Sequence, residues 1–147
     1  MIDQEEWRAG LPAPDYTRIP NKVYNLIVHH TAGSNTDDNY FQVIRNIYIY
    51  HTAAPPAGRG WSDIGYNYVI AQDGSIFEAR DPGGLEQDNV LGAHFCGANT
   101  GTMGVSLMGD YTQTSPSDTM LASLVKLLTW KAGKDSLNPL GYHPHPL

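Results

Sequence analysis

The sequence predicts an α/β domain with a mixed central sheet and flanking helices. Three observations support this prediction: an apolar run at 24–28 followed by a helical pattern, two β-rich runs joined by Asp73-Gly74, and an apolar run at 103–108 followed by a second helical pattern. The order strand, helix, hairpin, strand, helix is typical of helices that pack on the faces of one sheet. The length of 147 residues fits a single domain over 1–147.

The first half of the chain contains one predicted strand and one predicted helix. Residues 1–22 carry three prolines and no sustained periodicity, which indicates a lead-in with at most one turn. The apolar run 24–28 predicts a buried strand. Thr36 can cap the next element, and apolar residues at helical spacing predict a helix over 37–52. The Pro/Gly-rich stretch 53–60 predicts a loop.

The second half begins with the predicted hairpin. Its strands are the runs 66–72 and 75–79, and the Asp-Gly pair between them favours a tight turn. Alternation along the first strand would place Tyr66 and Tyr68 on one face and Asn67 on the other.

A loop, a strand and a helix complete the predicted order. Residues 80–101 contain five glycines and predict a loop, whereas 103–108 predicts a buried strand. Ser115, followed by a proline at the first helical position, predicts the start of the last helix, and Gly133 predicts its end.

Composition excludes several classes of function. The formal net charge is −6, and nine Lys and Arg residues are spread thinly, so no basic patch for nucleic acid is visible. No stretch approaches the roughly 20 apolar residues of a membrane span. Cys96 is the only cysteine, which excludes an internal disulfide. The first residues show neither the basic nor the apolar region of a signal peptide.

Two adjacent histidines, His29 and His30, follow the first predicted strand directly. A strand end is a rigid position from which to direct a metal ligand or a base. Alternation sends the two rings to opposite faces, so only one of them can serve a given site. An isolated histidine pair is weak evidence for zinc. The alternative is one histidine packed in the core and one in solvent.

Two further segments carry candidate site residues. Tyr66 lies in the run 61–68, and His94 and Asn99 lie in the glycine-flanked run 92–99. Glycines allow the backbone to approach a ligand closely, and both side chains of the second segment can donate to an amide or a carboxylate. The alternatives are aromatic packing in the hairpin for Tyr66 and a tight loop with a local cap for the second segment.

Taken in order, these segments resemble one known family. They are LIVHHTA at 26–32, WSDIGYNY at 61–68, DGSIFEAR at 73–80, GAH at 92–94 with Asn99, and MGVSLMGD at 103–110. The set is similar to that of peptidoglycan recognition proteins and type 2 N-acetylmuramoyl-L-alanine amidases. The resemblance runs in register over about residues 5–130. Five motifs in the same order make it specific.

The resemblance implies zinc-dependent hydrolysis of the amide between N-acetylmuramic acid and L-alanine in peptidoglycan. It implies that His29 is a zinc ligand and that Tyr66 lies beside the metal and assists the attacking water or the tetrahedral intermediate. It also implies that His51, His94 and Asn99 line or border the substrate groove. Such a zinc ion has three protein ligands and an open position for water, whose pKa it lowers to about 7.

The end of the sequence departs from the family pattern. The family's other two ligands are a histidine in Gly-His-Arg and a cysteine before Pro-Gly, and neither motif is present. Cys96 lies in a different segment, and His143 and His145 lie in Gly-Tyr-His-Pro-His-Pro. We therefore expect the chain to be about one strand and one helix short of the family domain. Substitution of His143 or His145 as a ligand is the alternative.

These expectations extend to cofactor and partners. With one ligand identified, we expect the chain itself to bind zinc weakly or not at all. The expected partner is peptidoglycan or a muropeptide, the expected oligomeric state is monomeric, and the substrate implies an extracellular or periplasmic location. The alternative function is a non-catalytic domain that binds peptidoglycan without the metal.

Overall fold

The computed structural model describes residues 1–142 and 144. Its elements in chain order are α1 (Gln4–Arg8), β1 (Asn25–His30), α2 (Tyr40–Thr52), β2 (Tyr68–Ile70), β3 (Ile76–Glu78), β4 (Thr102–Leu107) and α3 (Asp118–Lys134). A short 3₁₀ turn at Gln87–Asn89 lies between β3 and β4.

The four strands form one mixed sheet in the order β1-β4-β2-β3. The first three are parallel, with Val28 opposite Val105 and Val69 opposite Ser106, and β3 is antiparallel to β2. This confirms the predicted α/β class with a mixed sheet and flanking helices. Because β1, β4 and β2 are parallel, their carboxyl ends meet at one edge, where such sheets commonly bind ligands.

Two apolar clusters cover the two faces of the sheet. The first cluster includes Trp7 of α1 and Ile44 of α2, packed near Val69 and Phe77. The second cluster includes residues of α3 such as Leu124, packed with residues of β2 and β4. The sheet is therefore the middle of three layers, which fixes the strand ends as a rigid frame for side chains at its edge.

Both long helices begin later than the sequence predicts. The Asn39 side chain accepts from the Gln42 N–H and caps α2, whereas the Ser34 hydroxyl accepts from the backbone of residues 36 and 37 and holds them in a turn. Ser117, rather than Ser115, caps α3 by accepting from the Met120 N–H. Gly133 lies inside α3, which ends against a cap at Asp135.

Two further predictions about local structure are wrong, whereas α1 is the single turn expected in the lead-in, with Trp7 completely buried. Strand β1 continues through His29 and His30 and does not end before them. Tyr66 packs against the first cluster and Tyr68 lies in the second, so they do not share a face. Tyr66 precedes the first residue of β2, and strand alternation does not apply before Tyr68.

Two further expectations from the sequence concern a membrane span and the alternative zinc ligands. Among residues 1–142 and 144, no helix combines the length and the apolar character needed to cross a membrane. His143 and His145, the alternative zinc ligands, lie outside the described residues.

Candidate functional site

His29 lies near the carboxyl end of β1, and its ring meets two other candidate residues. Its Nε2 lies 3.0 Å from Nδ1 of His94, and its ring centroid lies 5.8 Å from that of Tyr66. His30 points to the other face, where its Nδ1 accepts from the Tyr111 N–H at 3.0 Å. Alternation along the strand therefore separates the two histidines as the sequence predicts, with His29 beside Tyr66.

His94 is held by its own loop and by a glycine beneath it. The Asn99 side-chain oxygen accepts from the backbone N–H groups of His94 and Phe95 at 2.9 and 2.8 Å. The His94 ring lies so close to Gly104 of β4 that a Cβ there would collide with it. A glycine inside a strand is a sign of such a close approach, and it could have identified this contact from the sequence.

Tyr66 lies between two histidines. Its ring centroid is 5.8 Å from that of His29 and 5.6 Å from that of His51. Within the described part of the chain, its hydroxyl has no hydrogen-bond partner, and the hydroxyl oxygen is not fully buried. The hydroxyl is therefore reachable from solvent and free to bond to a ligand.

His51 projects from the last turn of α2 and is only 7% exposed. Its Nδ1 accepts from the Gly65 N–H at 3.0 Å, and its ring lies 4.7 Å from the Trp61 ring. Because Nδ1 is an acceptor, a neutral His51 carries its proton on Nε2. The helix and the segment before β2 thus fix both the position and the tautomer of this ring.

A cleft of about 380 Å³ adjoins His51 and Tyr66. It is bounded by α2 and by the turn that follows β1, and its lining residues are Thr31, Gly33, Ser34, Asp37, Val43, Asn46, Ile47, Tyr50, His51, Arg59 and Tyr66. Arg59 lies 5.3 Å from the Trp61 ring centroid and 5.8 Å from that of Tyr50. Arg59 was not predicted as a site residue, because it lies in a loop that only its prolines and glycines identify from the sequence.

Burial keeps the histidines of this region neutral. It lowers the pKa of His51 to about 4, with further contributions from Arg59 and Arg80. It lowers the pKa of His94 to about 4, with a contribution from His29, and it lowers that of His29, with a contribution from His30. Near pH 7 each ring therefore offers one bare nitrogen, as a hydrogen-bond acceptor or a metal ligand.

A buried carboxyl supports the segment that carries Tyr66. Asp63 accepts from the N–H groups of Ile64 and Asp81 at 2.7 and 2.8 Å and from the Tyr16 hydroxyl at 3.1 Å. Burial raises the pKa of Asp63 to about 6. Asp63 thus connects the segment directly before Tyr66 to Tyr16 and Asp81, which lie elsewhere in the sequence. These bonds restrict the backbone of the segment that leads into Tyr66.

The donor set fits a zinc ion only in part. His29 and His94 bring two imidazole nitrogens together, but residues 1–142 and 144 contain no group of three or more His, Cys, Asp or Glu residues that could hold a metal ion. Cys96 is exposed in the loop. The described residues alone therefore do not supply the three ligands of a catalytic zinc site, and the role of His29 stays a prediction.

A larger cavity of about 540 Å³ lies on the α3 side of the sheet. Its lining includes Tyr68, Lys126 and Trp130 but no histidine. The chemistry predicted from the sequence is therefore gathered in the smaller cleft and the adjoining histidine pair.

The structure brings four of the five predicted site residues into one continuous group of rings. His94, His29, Tyr66 and His51 follow one another with centroid separations of 5.2, 5.8 and 5.6 Å. Asn99 differs, because its side-chain oxygen is used inside the loop. This arrangement offers neutral acceptors and a free phenol at the edge of the sheet.

Comparison with known proteins identifies similar chains. A family profile described as N-acetylmuramoyl-L-alanine amidase matches residues 20–145. Peptidoglycan-recognition protein SC2 of Drosophila melanogaster is 31% identical over 131 residues, which are 88% of this chain and 65% of that protein. Peptidoglycan recognition protein 1 of Bos taurus is 32% identical over 142 residues, which are 95% of this chain and 69% of that protein. The chain thus spans about two thirds of the length of these relatives.

Solved structures show the same fold. PGRP-SA of Apis mellifera is 29% identical, with a TM-score of 0.74 over 95% of this chain and 79% of that one. Peptidoglycan recognition protein-LE, in complex with tracheal cytotoxin (monomeric diaminopimelic acid-type peptidoglycan), is 25% identical. Its TM-score is 0.77 over 95% of this chain and 77% of that one.

Proposed function

The chain belongs to the N-acetylmuramoyl-L-alanine amidase family, and from this premise we propose that its cleft binds peptidoglycan or a soluble muropeptide. The observation that carries the proposal is the convergence of His29, Tyr66 and His51 at the edge of the sheet beside the cleft. The complex of peptidoglycan recognition protein-LE with a monomeric peptidoglycan supports it by similarity of fold.

The groups in and beside the cleft suit a ligand made of sugar and peptide. Tyr50 and Trp61 provide aromatic surface, and Asn46 and the neutral His51 provide polar groups. Arg59 provides a positive charge, which suits the carboxylates of a stem peptide. A few directed polar groups on an apolar wall are typical of sites that bind small molecules.

We further propose that the protein to which this chain belongs hydrolyses the amide between N-acetylmuramic acid and L-alanine with the aid of zinc. His29 would be one ligand of the ion. The Tyr66 hydroxyl, which has no partner among the described residues, would donate to the oxygen that becomes negatively charged during attack. An extracellular or periplasmic location and a monomeric state are part of this proposal.

The second candidate function is binding of peptidoglycan without catalysis. One specific observation favours it: the similar proteins of Drosophila melanogaster and Bos taurus are named as peptidoglycan recognition proteins. A protein of this kind would keep the cleft and the ring cluster but would not cleave the amide.

Calorimetry with a soluble muropeptide tests the shared part of both proposals. We expect the wild-type chain to bind and His29→Gln to bind at least tenfold more weakly, since His29 borders the site. His30→Gln is the matched control, because the neighbouring ring lies on the other face and should leave the affinity unchanged. Absence of binding by the wild-type chain would exclude both functions.

Release of stem peptide from purified cell wall separates the two candidates. Zinc-dependent release by the protein to which the chain belongs supports the amidase, whereas binding without release supports the recognition function. We also expect the 147-residue chain to bind zinc weakly or not at all. Stoichiometric zinc by elemental analysis after dialysis would contradict this expectation and would make His94, His143 or His145 a ligand.

A further inference from the structure

A chain of hydrogen bonds runs from the backbone of the 92–99 loop to His29. The Thr102 hydroxyl oxygen lies 2.7 Å from the Asn99 carbonyl oxygen and 3.2 Å from Nε2 of His94. Nδ1 of His94 then lies 3.0 Å from Nε2 of His29. Four groups that are separate in the sequence are thus linked in series.

The shortest contact fixes the direction of the whole chain. Two oxygens lie 2.7 Å apart only when a hydrogen lies between them, and a carbonyl has none to give. The Thr102 hydrogen is therefore committed to Asn99. The remaining contact of the Thr102 oxygen requires a hydrogen from His94, so Nε2 of His94 carries the proton and donates.

The tautomer of His94 then determines that of His29. A neutral His94 with its proton on Nε2 has a bare Nδ1, which can only accept. The proton in the 3.0 Å contact must therefore come from Nε2 of His29. A neutral His29 with its proton on Nε2 is left with a bare Nδ1.

Packing holds this chain in place. Thr102 is completely buried at the start of β4, and the His94 ring rests against Gly104. Within residues 1–142 and 144, Nδ1 of His29 has no hydrogen-bond partner, and this atom is not fully buried. The free lone pair of His29 is therefore open to solvent, on a ring whose other nitrogen is fixed.

We propose that Thr102 and His94 are positioning residues that hold His29 in the Nε2–H tautomer, so that Nδ1 is the nitrogen it offers at the site. The partner of that nitrogen rests on the proposed function: a metal ion in the amidase, or a donor of the muropeptide in a recognition protein. Mutation of groups that fix the tautomer of a metal-ligating histidine commonly lowers metal affinity by about 10- to 100-fold.

Nitrogen NMR of the histidine side chains in the metal-free chain tests the direction of the bonds. Two-bond proton–nitrogen correlation spectra distinguish protonated from bare ring nitrogens. We expect bare Nδ1 and protonated Nε2 for both His29 and His94 in the wild-type chain near pH 7.5. A protonated Nδ1 on either residue would overturn the proposal, whatever the ligand of the cleft is.

Two variants of Thr102 test its part in the chain. Thr102→Val removes the hydroxyl at nearly the same volume, so the His94 Nε2–H loses its acceptor, and we expect mixed tautomers at both histidines. Thr102→Ser keeps the hydroxyl and should keep the wild-type pattern. A wild-type pattern in a folded Thr102→Val, or mixed tautomers in Thr102→Ser, would contradict the role of Thr102.

The wild-type spectrum decides the tautomers even if Thr102→Val does not fold. Muropeptide binding is measured separately by calorimetry, so loss of the proposed function and loss of the proposed tautomer are distinguishable. If the protein binds no muropeptide but shows the Nε2–H tautomer at both His29 and His94, the positioning role of Thr102 and His94 stands. Only the proposed ligand of His29 is then wrong.

Discussion

The histidine cleft and the charged cluster at the end of α3 are both rich in polar groups, but they use their hydrogen bonds differently. In the cluster, Nζ of the fully buried Lys131 meets Asp88 at 2.6 Å, Asp135 at 2.6 Å and Asn89 at 2.7 Å. These three contacts match the three hydrogens of an ammonium group. Lys134 adds a further bond to Asp88 at 2.9 Å.

The electrostatics of the two regions differ as well. Burial alone would raise the pKa of Asp88, but its bonds to Lys131 and Lys134 outweigh burial and hold the pKa below its ordinary value. The rings in and beside the cleft are neutral instead, because burial lowers the pKa of His51, which lines the cleft, and of His94 in the adjoining histidine pair.

The difference indicates which region is built for stability and which for binding. The cluster satisfies its charges internally and joins α3 to the 3₁₀ turn. The cleft and the adjoining histidine pair leave two groups without partners among the described residues, the Tyr66 hydroxyl and Nδ1 of His29. Unused hydrogen-bonding capacity at a rigid edge is what a ligand requires.

The largest expected effect is the loss of the buried ammonium. Lys131→Met should lower the free energy of unfolding by about 3 kcal/mol or more, because it leaves the buried Asp88 with Lys134 as its only cation and removes the partner of the half-buried Asp135. Urea denaturation measures the change. Lys126→Met, at an exposed position of the same helix, is the control and should change stability by less than about 0.5 kcal/mol. Equal stability of the two variants would show that the cluster adds little to the fold.

The next largest effect concerns catalysis in the protein to which this chain belongs. Tyr66→Phe should lower the rate of stem-peptide release by on the order of 100-fold, or about 3 kcal/mol, with fold and zinc content unchanged. The reason is the loss of one hydrogen-bond donor to a developing negative charge. Tyr24→Phe removes an exposed hydroxyl elsewhere and should have wild-type turnover. Wild-type turnover in zinc-loaded Tyr66→Phe would remove Tyr66 from the mechanism.

The pH dependence of stability provides a smaller effect in the cleft. The folded-state pKa of His51, about 4, lies below its unfolded value, so its contribution to stability is present above about pH 6.5 and is lost as pH falls towards 4. The loss for one such group is at most on the order of 3 kcal/mol. His51→Asn keeps an acceptor for the Gly65 N–H but does not titrate, so its stability should fall less between about pH 7 and pH 4.5.

Comparison of the two proteins isolates His51 from other titrating groups. Asp63 has a pKa raised to about 6, so its contribution has the opposite sign and is lost as pH rises through that value. Because Asp63 is present in both proteins, its effect cancels in the difference. Identical pH profiles for the wild type and His51→Asn would mean that His51 titrates in the same way folded and unfolded.

Local chemistry predicted the sheet better than it predicted the ends of the helices. The Asp73-Gly74 turn identified its hairpin because Gly74 takes a positive φ of 87° and the Asp73 carboxylate accepts from the Ser75 N–H. The start of α3 was predicted wrongly because Ser115 and Ser117 are both competent caps. The choice depends on a tertiary contact, since the Ser117 hydroxyl also donates to the Gln72 carbonyl.

In the site, too, local sequence patterns predict what lies within one element but not the contacts between distant residues. Strand alternation was sufficient to separate His29 from His30, because both belong to one element. The bond between His29 and His94 joins residues 65 positions apart, and no local pattern predicts which nitrogen meets which. The burial of Trp7 was missed for a similar reason, since it depends on packing of a five-residue helix against α2 and on a bond to the Glu78 carbonyl.

The smallest expected effect compares the two neighbouring histidines directly. His30 is half-buried, and its Nδ1 accepts from the Tyr111 N–H, which water can reach once the ring is removed. His30→Ala should therefore lower the free energy of unfolding by no more than about 1 kcal/mol, the usual net value of one such hydrogen bond. Muropeptide affinity should stay at the wild-type value, because the ring lies on the face opposite Tyr66. Urea denaturation and calorimetry on the same sample measure both quantities. If His30→Ala weakens muropeptide binding as strongly as His29→Ala, then His29 is not the only one of the two histidines that affects the site, and both faces of β1 contribute to binding.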